Sequence, residues 1–292
     1  MLKKSKGLKA KIIENGKFNV NLFNGELKHS FLKILPKIGK GLQKATRDYK
    51  KELRNPVEEK KGAPLEIWNE ITEKAHSLGI QLISFAPVDE NLIFEKDQST
   101  KIKSLYENAI VLGMEMNYDA IETAPDAPAG LEALNIYAEL GIATNNLADF
   151  IRSKDYGAIA CHPLGGPILY PAMAVKANMG EIGKQGLLIT KKFGPRQRLS
   201  MIATNASPFP EITDEDNKIS EYCDKCGTCI NMCPVNAILE EPIEHENGTI
   251  SRIDSDKCFE YFYENVGCSI CIKVCPFHKV GYDKLFKLKF YS

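Results

Sequence analysis

Cysteines at short, regular spacings near the end of the chain are the residues best suited to chemistry. The first run reads C-x2-C-x2-C-x3-C-P and consists of Cys223, Cys226, Cys229 and Cys233 before Pro234. A second group repeats this pattern with its first member moved upstream, and consists of Cys258, Cys268, Cys271 and Cys275 before Pro276. This spacing is typical of thiolates that wrap cuboidal iron–sulfur clusters, with the fourth cysteine of a run binding the other cluster.

The sequence therefore predicts two [4Fe–4S] clusters. We expect the first to be held by Cys223, Cys226, Cys229 and Cys275, and the second by Cys233, Cys258, Cys268 and Cys271. Zinc is the alternative metal, since C-x2-C pairs also build structural zinc sites. We favour the clusters because the run presents too many thiolates too close together for one tetrahedral ion. Gly227 and Gly267 stand beside ligands, where tight turns direct backbone N–H groups at cluster sulfurs.

Whole-chain composition is that of an ordinary globular protein. The 292 residues carry 38 basic and 38 acidic side chains, and 43% are hydrophobic, so nothing points to nucleic acid, disorder or a membrane-embedded protein. No apolar run reaches the about 18 residues of a membrane span. The N-terminus has lysines but neither an apolar signal region nor a twin arginine. We expect a cytoplasmic protein, in agreement with cysteines placed at metal-ligand spacing.

Charge is concentrated in residues 1–61, which hold seventeen lysines and arginines against six acids. Apolar residues are interleaved with these lysines, at Leu22, Phe23, Phe31, Leu32, Ile34, Leu35 and Ile38. Such an arm can contact an anionic lipid surface or an acidic partner. The alternative that we favour is a solvated segment packed on the body through its apolar residues.

The residues between the arm and the cysteines alternate between helical and extended patterns. Helical periodicity predicts helices over 64–78 and 129–153. Apolar runs of strand length cover 81–86, 109–114, 158–160, 186–190 and 199–204. No G-x-G-x-x-G follows a strand, so a Rossmann nucleotide site is not supported. The predicted organisation is a basic arm (1–61), an α/β body (62–215) and a bacterial-type ferredoxin domain with two [4Fe–4S] clusters (216–292).

Several blocks in a fixed order resemble the corrinoid- and iron–sulfur-dependent reductive dehalogenases, with epoxyqueuosine reductases as more distant relatives. The blocks run from about Trp68 to the C-terminus. They are NAIVLGMEMNY at 108–118, LADFIR at 147–152, GEIGKQGLLIT at 180–190, FGPRQR at 193–198 and GCSICIKVCPF at 267–277. The resemblance implies an α+β protein, with a nitroreductase-like α/β body that binds cobalamin without a histidine below the cobalt.

The resemblance also implies roles for individual residues. The proton donor falls on Tyr137 and the cation that stabilises its phenolate falls on Arg198. A phenol keeps its proton at neutral pH, and a cation within about 4–6 Å stabilises the conjugate base. The alternatives are a core aromatic for Tyr137 and a surface or phosphate-binding group for Arg198. Corrinoid contacts are expected at Gly165, Gly180, Gly183 and Lys184.

Two features distinguish this chain from those families. Gly165 stands where many reductive dehalogenases carry an asparagine, and about Leu164 stands where epoxyqueuosine reductases carry an acidic residue, which argues against queuosine chemistry. The adjacent Cys161–His162 pair could reach the substrate or cobalt. The alternative that we favour is a buried hydrophobe for Cys161 and a loop residue for His162.

Together these observations favour a cytoplasmic cobalamin- and iron–sulfur-dependent reductase that removes a leaving group from a small organic substrate. Its expected partner is a low-potential donor, a ferredoxin or flavodoxin, and no nucleic acid is expected. The alternatives are a non-catalytic electron-transfer protein and an activator that reduces the corrinoid of another protein.

Overall fold

The structure is a computed structural model and describes residues 25–57, 62–94, 106–210, 218–245, 250–265 and 267–287. The described helices before residue 211 are α1 (Gly25–Arg54), α2 (Leu65–Ser77), α3 (Tyr118–Glu122), α4 (Ala127–Ser153) and α5 (Tyr170–Lys176). The strands are β1 (Leu82–Pro87), β2 (Asn108–Glu115), β3 (Ala158–Cys161), β4 (Glu181–Ile182), β5 (Leu188–Ile189) and β6 (Gln197–Thr204). None of the described helices is both long and apolar enough to cross a membrane.

A four-stranded antiparallel sheet in the order β1-β2-β6-β3 forms the centre of the body. Side chains on β2 alternate between its two faces, as the period of a strand requires. Ile110 and Leu112 join the core beneath α2 and α4, whereas Ala109 and Val111 join the core beneath α5. A mixed helix-and-strand body of this kind confirms the expected fold class.

The basic segment forms a long helix, α1, that packs against α4 and the edge strand β3. The two helices run in the same direction, since Asn145 donates to the Gly41 carbonyl oxygen at 3.0 Å and Lys44 pairs with Asp149 at 2.9 Å. Phe31, Ile34 and Ile38 are buried, at the spacing of one helix face. The expected packing is therefore observed for these three residues, whereas Leu32 and Leu35 are exposed because they lie outside the buried face of the helix. Leu22 and Phe23 lie outside the described residues.

The cysteine-rich part of the chain consists of short helices around one hairpin. Its helices are α6 (Ile219–Cys226), α7 (Thr228–Asn231), α8 (Ser255–Glu264), α9 (Ile270–Lys273), α10 (Pro276–Lys279) and α11 (Tyr282–Lys287). Its hairpin pairs β7 (Ile238–Glu244) with β8 (Ile250–Ile253). Ile189 of β5 shares a small core with Ile219, Phe277 and Leu285, so this part packs directly on the body. The predicted boundary at 215 lies outside the described residues.

The helices and strands predicted in the body correspond to α2, α4, β1, β2, β3, β5 and β6, with small differences at their ends. The largest difference concerns the run 186–190, of which only Leu188–Ile189 pairs as strand β5. Gly186 adopts a φ of +74° in the turn before β5, which ends the extended conformation there. The sequence signalled neither α5 nor the β7–β8 hairpin strongly enough to be predicted.

Candidate functional site

The first predicted set of cysteines lines a single cavity. Cys223, Cys226 and Cys229 come from α6 and α7, and Cys275 comes from the start of α10. Burial raises the pKa of the Cys275 thiol to about 12, with the Cys223 and Cys229 thiols acting in the same direction. Four thiols around one cavity fit the cuboidal cluster that the spacing predicts.

The second predicted set is also brought together. The pKa of Cys258 is raised first by burial and then by the neighbouring Cys268 and Cys233 thiols. Burial raises the pKa of Cys271, and the other three thiols of its set, together with Cys229 of the first set, act in the same direction. One thiol raises the pKa of another only when the two sulfur atoms are close, so these four thiols also form one group.

Glycines beside the ligands adopt the turns that the sequence predicted. Gly227 has a φ of +62° and Gly267 a φ of +106°, values that favour glycine. Backbone N–H groups face sulfur nearby, since the N–H of Ala237 lies 3.2 Å from Cys233 Sγ. Gly267 also allows close approach to the body, because a Cβ there would lie 3.1 Å from Gly130 Cα of α4.

Tyr137 and Arg198 lie together between α4 and β6. The guanidinium carbon of Arg198 lies 4.8 Å from the centroid of the Tyr137 ring. Arg198 stands opposite Met114 at the end of the sheet where β6 begins. The two residues are 61 positions apart in the chain and are neighbours because α4 packs across the sheet. Their catalytic roles stay predictions.

Tyr170, at the start of α5, is a third member of this site that sequence reasoning missed. Its hydroxyl donates to the His162 carbonyl oxygen at 2.9 Å. The pKa of Tyr170 is raised well above its ordinary value, first by burial and then by the Cys161 and Tyr137 side chains. Tyr170 therefore keeps its proton, and its hydrogen bond fastens the loop of residues 162–167 to the start of α5.

The predicted corrinoid contacts lie in two places. Gly165 is exposed in that loop with a φ of +87°. Gly180 and Gly183 flank β4, and a Cβ at Gly180 would lie 2.1 Å from the carbonyl oxygen of Ile189. Lys184 lines the cavity of the first cysteine set. The structure therefore places Lys184 beside a cluster site, and contact of these four residues with a corrinoid stays a prediction.

Cys161 and His162 are both buried. The Cys161 thiol packs in the core under α5, and burial raises its pKa to about 12. The His162 ring is enclosed between α1 and α4, where a Cβ at Gly141 would lie 2.2 Å from Nε2 and one at Gly41 would lie 3.0 Å away. The favoured alternative, a buried hydrophobe, describes Cys161 well, whereas His162 fills a helix–helix seam.

A buried polar network that was not predicted from the sequence joins the cysteine-rich part to the body. Arg196 donates to the Met116 carbonyl oxygen and to His278 Nδ1, at 3.0 and 2.9 Å, and also pairs with Glu115. His278 follows the ligand Cys275 by three positions and donates from Nε2 to Glu122 at 2.7 Å. Burial lowers the pKa of His278, and a guanidinium can only donate, so the neutral ring carries its proton on Nε2.

Comparison with known proteins extends these observations. Residues 222–279 match the family described as a 4Fe-4S dicluster domain. The cysteine-rich part of the chain is therefore a dicluster domain, as the spacing predicted.

The body is also similar to known reductases. The chain is 34% identical over 203 residues to a tetrachloroethene reductive dehalogenase of Sulfurospirillum multivorans, covering 65% of this chain and 39% of that relative. A solved reductive dehalogenase, described in connection with B12-dependent dehalogenation, matches with a TM-score of 0.63 and 19% identity over 71% of this chain and 31% of its own. An epoxyqueuosine reductase in complex with a tRNA stem loop matches with a TM-score of 0.54 and 18% identity over 74% of this chain and 66% of its own.

These similarities confirm the predicted resemblance and the fold. The chain spans well under half the length of the curated reductive dehalogenase that it matches. At 18–19% identity, the solved structures establish the shared architecture. The regions that match include the body as well as the dicluster domain, because the similarity covers far more of the chain than residues 222–279.

Proposed function

We infer that this chain, a relative of the reductive dehalogenases across its body and dicluster domain, is an oxidoreductase that removes a leaving group reductively from a small organic substrate. Its electrons would enter from a ferredoxin or flavodoxin and pass through the two [4Fe–4S] clusters. A corrinoid would be the final carrier. The observation that carries this proposal is the contact of Arg198 with Tyr137 at the end of the sheet that faces the dicluster domain.

A buried hydrogen-bond donor of Arg198 supports the binding of a cofactor or substrate beside the Tyr137–Arg198 pair. Nε of Arg198 is buried, and no described residue accepts a hydrogen bond from it. A buried donor without an acceptor costs about 1–3 kcal/mol, so a bound group that offers acceptor oxygens would stabilise this arrangement. Amide groups around a corrin ring or a polar substituent of the substrate have that chemistry. When bound, the corrinoid would supply the electrons that break the bond to the leaving group.

The residues of the chain would supply the proton and the environment. Tyr137 would donate its phenolic proton to the substrate carbon that loses the leaving group. The guanidinium carbon of Arg198 lies 4.8 Å from the centroid of the Tyr137 ring, and a cation this near to the ring would favour that transfer. Tyr170 would fix the 162–167 loop through its bond to the His162 carbonyl oxygen and thereby shape the wall of the site.

Proximity of the dicluster domain to the pair is the second structural support. Arg196, which directly precedes β6, contacts His278, and Arg198 follows two positions later within β6. A cluster ligand, Cys275, lies three positions before His278. Electron entry and proton donation would therefore occur at the same end of the sheet. A location in the cytoplasm and the absence of a nucleic-acid partner remain expectations from the sequence.

Metal analysis of anaerobically purified protein, reconstituted with iron, sulfide and cobalamin, tests this proposal. We expect about eight irons, as two [4Fe–4S] clusters require, and about one cobalt per chain. Eight irons without cobalt would contradict the corrinoid reductase and favour an electron carrier or an activator of another protein. Turnover of halogenated substrates with a low-potential reductant then separates the enzyme from a protein that only stores cobalamin.

A further inference from the structure

The hairpin formed by β4 and β5 reaches the first cysteine set from the body. Its turn is closed by two hydrogen bonds of 2.9 Å, from Gly183 N to the Leu187 carbonyl oxygen and from Gly186 N to the Gly183 carbonyl oxygen. Lys184 and Gln185 occupy the turn and line the cavity that the four thiols surround. The turn is therefore a wall of the cluster site contributed by the body.

Gln185 is the unusual residue of this turn because its side chain is buried and incompletely bonded. Only 1% of the residue is exposed. Its Oε1 lies 3.9 Å from Cys229 Sγ, and Nε2 has no hydrogen-bond partner among the described residues. A buried amide N–H without an acceptor is costly, so a group that accepts it is expected inside this cavity.

When a cluster binds, the Gln185 amide faces a hydrogen-bond acceptor at Cys229 in place of a donor. A thiol can donate to Oε1, but a ligating cysteine is a thiolate and only accepts. Rotation of the amide by 180° exchanges Oε1 and Nε2 at nearly unchanged shape, and the two atoms are assigned only through their hydrogen bonds. The rotated amide directs its N–H at the Cys229 thiolate. The N–H then has an acceptor, and the thiolate has a hydrogen-bond donor.

The neighbours of Gln185 support this arrangement. A Cβ at Gly183 would lie 2.3 Å from Gln185 Oε1, so the glycine leaves the space that the amide occupies. The backbone N–H of Lys184, the neighbouring residue of the turn, faces the Cys223 thiol. With the amide rotated, two N–H donors from one turn would therefore face two cysteines of one set.

We propose that the Gly183–Gly186 turn is a hydrogen-bond donor site for the first cluster, in which Gln185 Nε2 donates to the Cys229 thiolate or an adjacent cluster sulfide. N–H···S bonds stabilise the more negative, reduced cluster and raise its potential. The body thus sets the potential of a cluster whose ligands all belong to the dicluster domain. The proposal depends on the dicluster domain and requires neither a corrinoid nor a substrate.

Reduction potentials of variants test the role of Gln185. In Gln185→Leu, we expect the midpoint potential of the first cluster to shift to more negative values, while the second cluster keeps its potential and about eight irons remain. Gly183→Ala should shift the first cluster in the same direction, because the added methyl group displaces the amide. Gln43→Leu, an exposed position on α1, is the matched control and should leave both potentials unchanged.

Unchanged potentials in both turn variants at full iron content would overturn the proposal. A measurement on the unaltered protein covers the case in which a variant loses its cluster. With glutamine side chains labelled by ¹⁵N, pulsed electron paramagnetic resonance of the reduced first cluster should show a ¹⁵N coupling. Absence of that coupling would exclude the donor role. Neither result depends on cobalt, so failure here is distinct from failure of the proposed reductase activity.

Discussion

Tyr137 and Arg198 form a pair in which a cationic side chain contacts an aromatic ring. The centroid of the Tyr137 ring lies 4.8 Å from the guanidinium carbon of Arg198, within the range of a cation–π contact. Neither residue is fully buried. A substrate placed against the ring would therefore meet a phenol that has a guanidinium beside it.

Removal of the Tyr137 hydroxyl tests the proton-donor role. We expect Tyr137→Phe to lower turnover by about 10²–10⁴-fold, the usual contribution of a general acid, while the absorption and resonance spectra of the clusters stay unchanged. Tyr156→Phe is the matched control. Its hydroxyl donates to the Gly62 carbonyl oxygen at 2.8 Å, away from the pair, so this variant should retain turnover. Full activity of Tyr137→Phe would remove Tyr137 as the acid.

Residue types with a strict spacing requirement were predictable from the sequence, and residues placed by packing were not. The eight cysteines are assigned by spacing alone because cluster geometry fixes the separation of its ligands. Gln185 and Tyr170 carry no such signature, since their positions depend on the turn after β4 and on the loop before α5. Arg196 and His278 are 82 positions apart and become neighbours only when the two parts of the chain pack.

At the scale of elements, α1 shows how charge obscured a helix. Its lysines suggested an arm, yet Phe31, Ile34 and Ile38 repeat at helical spacing and are buried. Its C-terminal half is fixed by Tyr106, whose hydroxyl donates to the buried Glu52 at 2.5 Å. The helix is therefore part of the body and covers the seam between α4 and β3.

Glycines on α1 and α4 permit a close contact at this seam, and a matched pair of variants tests it. Gly141→Ala should destabilise the protein by about 1–3 kcal/mol through overpacking, because its Cβ would lie 2.2 Å from His162 Nε2. Gly39→Ala on α1 meets nothing within 4 Å and should stabilise by about 0.5–1 kcal/mol through helix propensity.

Thermal unfolding checks this pair. We expect a lower melting temperature for Gly141→Ala and a slightly higher one for Gly39→Ala, with shifts of about 2–4 °C per kcal/mol for a domain of this size. Equal effects of the two substitutions would show that His162 does not fill the space beside Gly141 of α4. Both substitutions replace glycine by alanine within a helix, so both gain the same helix propensity. The difference between their melting temperatures therefore measures the effect of the contact with His162.

At the scale of the whole molecule, the dicluster domain is attached to the body at three places near its clusters. The Gly183–Gly186 turn lines the first cysteine cavity, and Gly267, beside the ligand Cys268, packs against Gly130 of α4. The third place is the polar network of Arg196 and His278. Such attachment fixes the distances between the clusters and the Tyr137 site, which an electron path requires.

Within that network, substitution of Arg196 should destabilise the interface between the dicluster domain and the body the most. It is 9% exposed, and its removal would leave Glu115 and His278 Nδ1 without their donor in a partly buried interface. Because Glu115 is partly exposed, the loss is that of a buried donor with unsatisfied partners, about 1–3 kcal/mol. Lys279 belongs to the same network but lies at its rim, with 39% of its side chain exposed, so its pairing with Glu122 should contribute less than about 1 kcal/mol.

The two substitutions Arg196→Leu and Lys279→Met therefore separate docking by the buried network from docking by surface charge. We expect Arg196→Leu to accelerate iron release in urea and to slow electron transfer from the clusters to an acceptor in the body, because the dicluster domain loses its fixed position. Lys279→Met should resemble the unaltered protein in both measurements. Any small difference between these two proteins should disappear at high salt concentration, because salt screens exposed charges. If both variants released iron equally fast, the interface would depend on general charge attraction and not on Arg196.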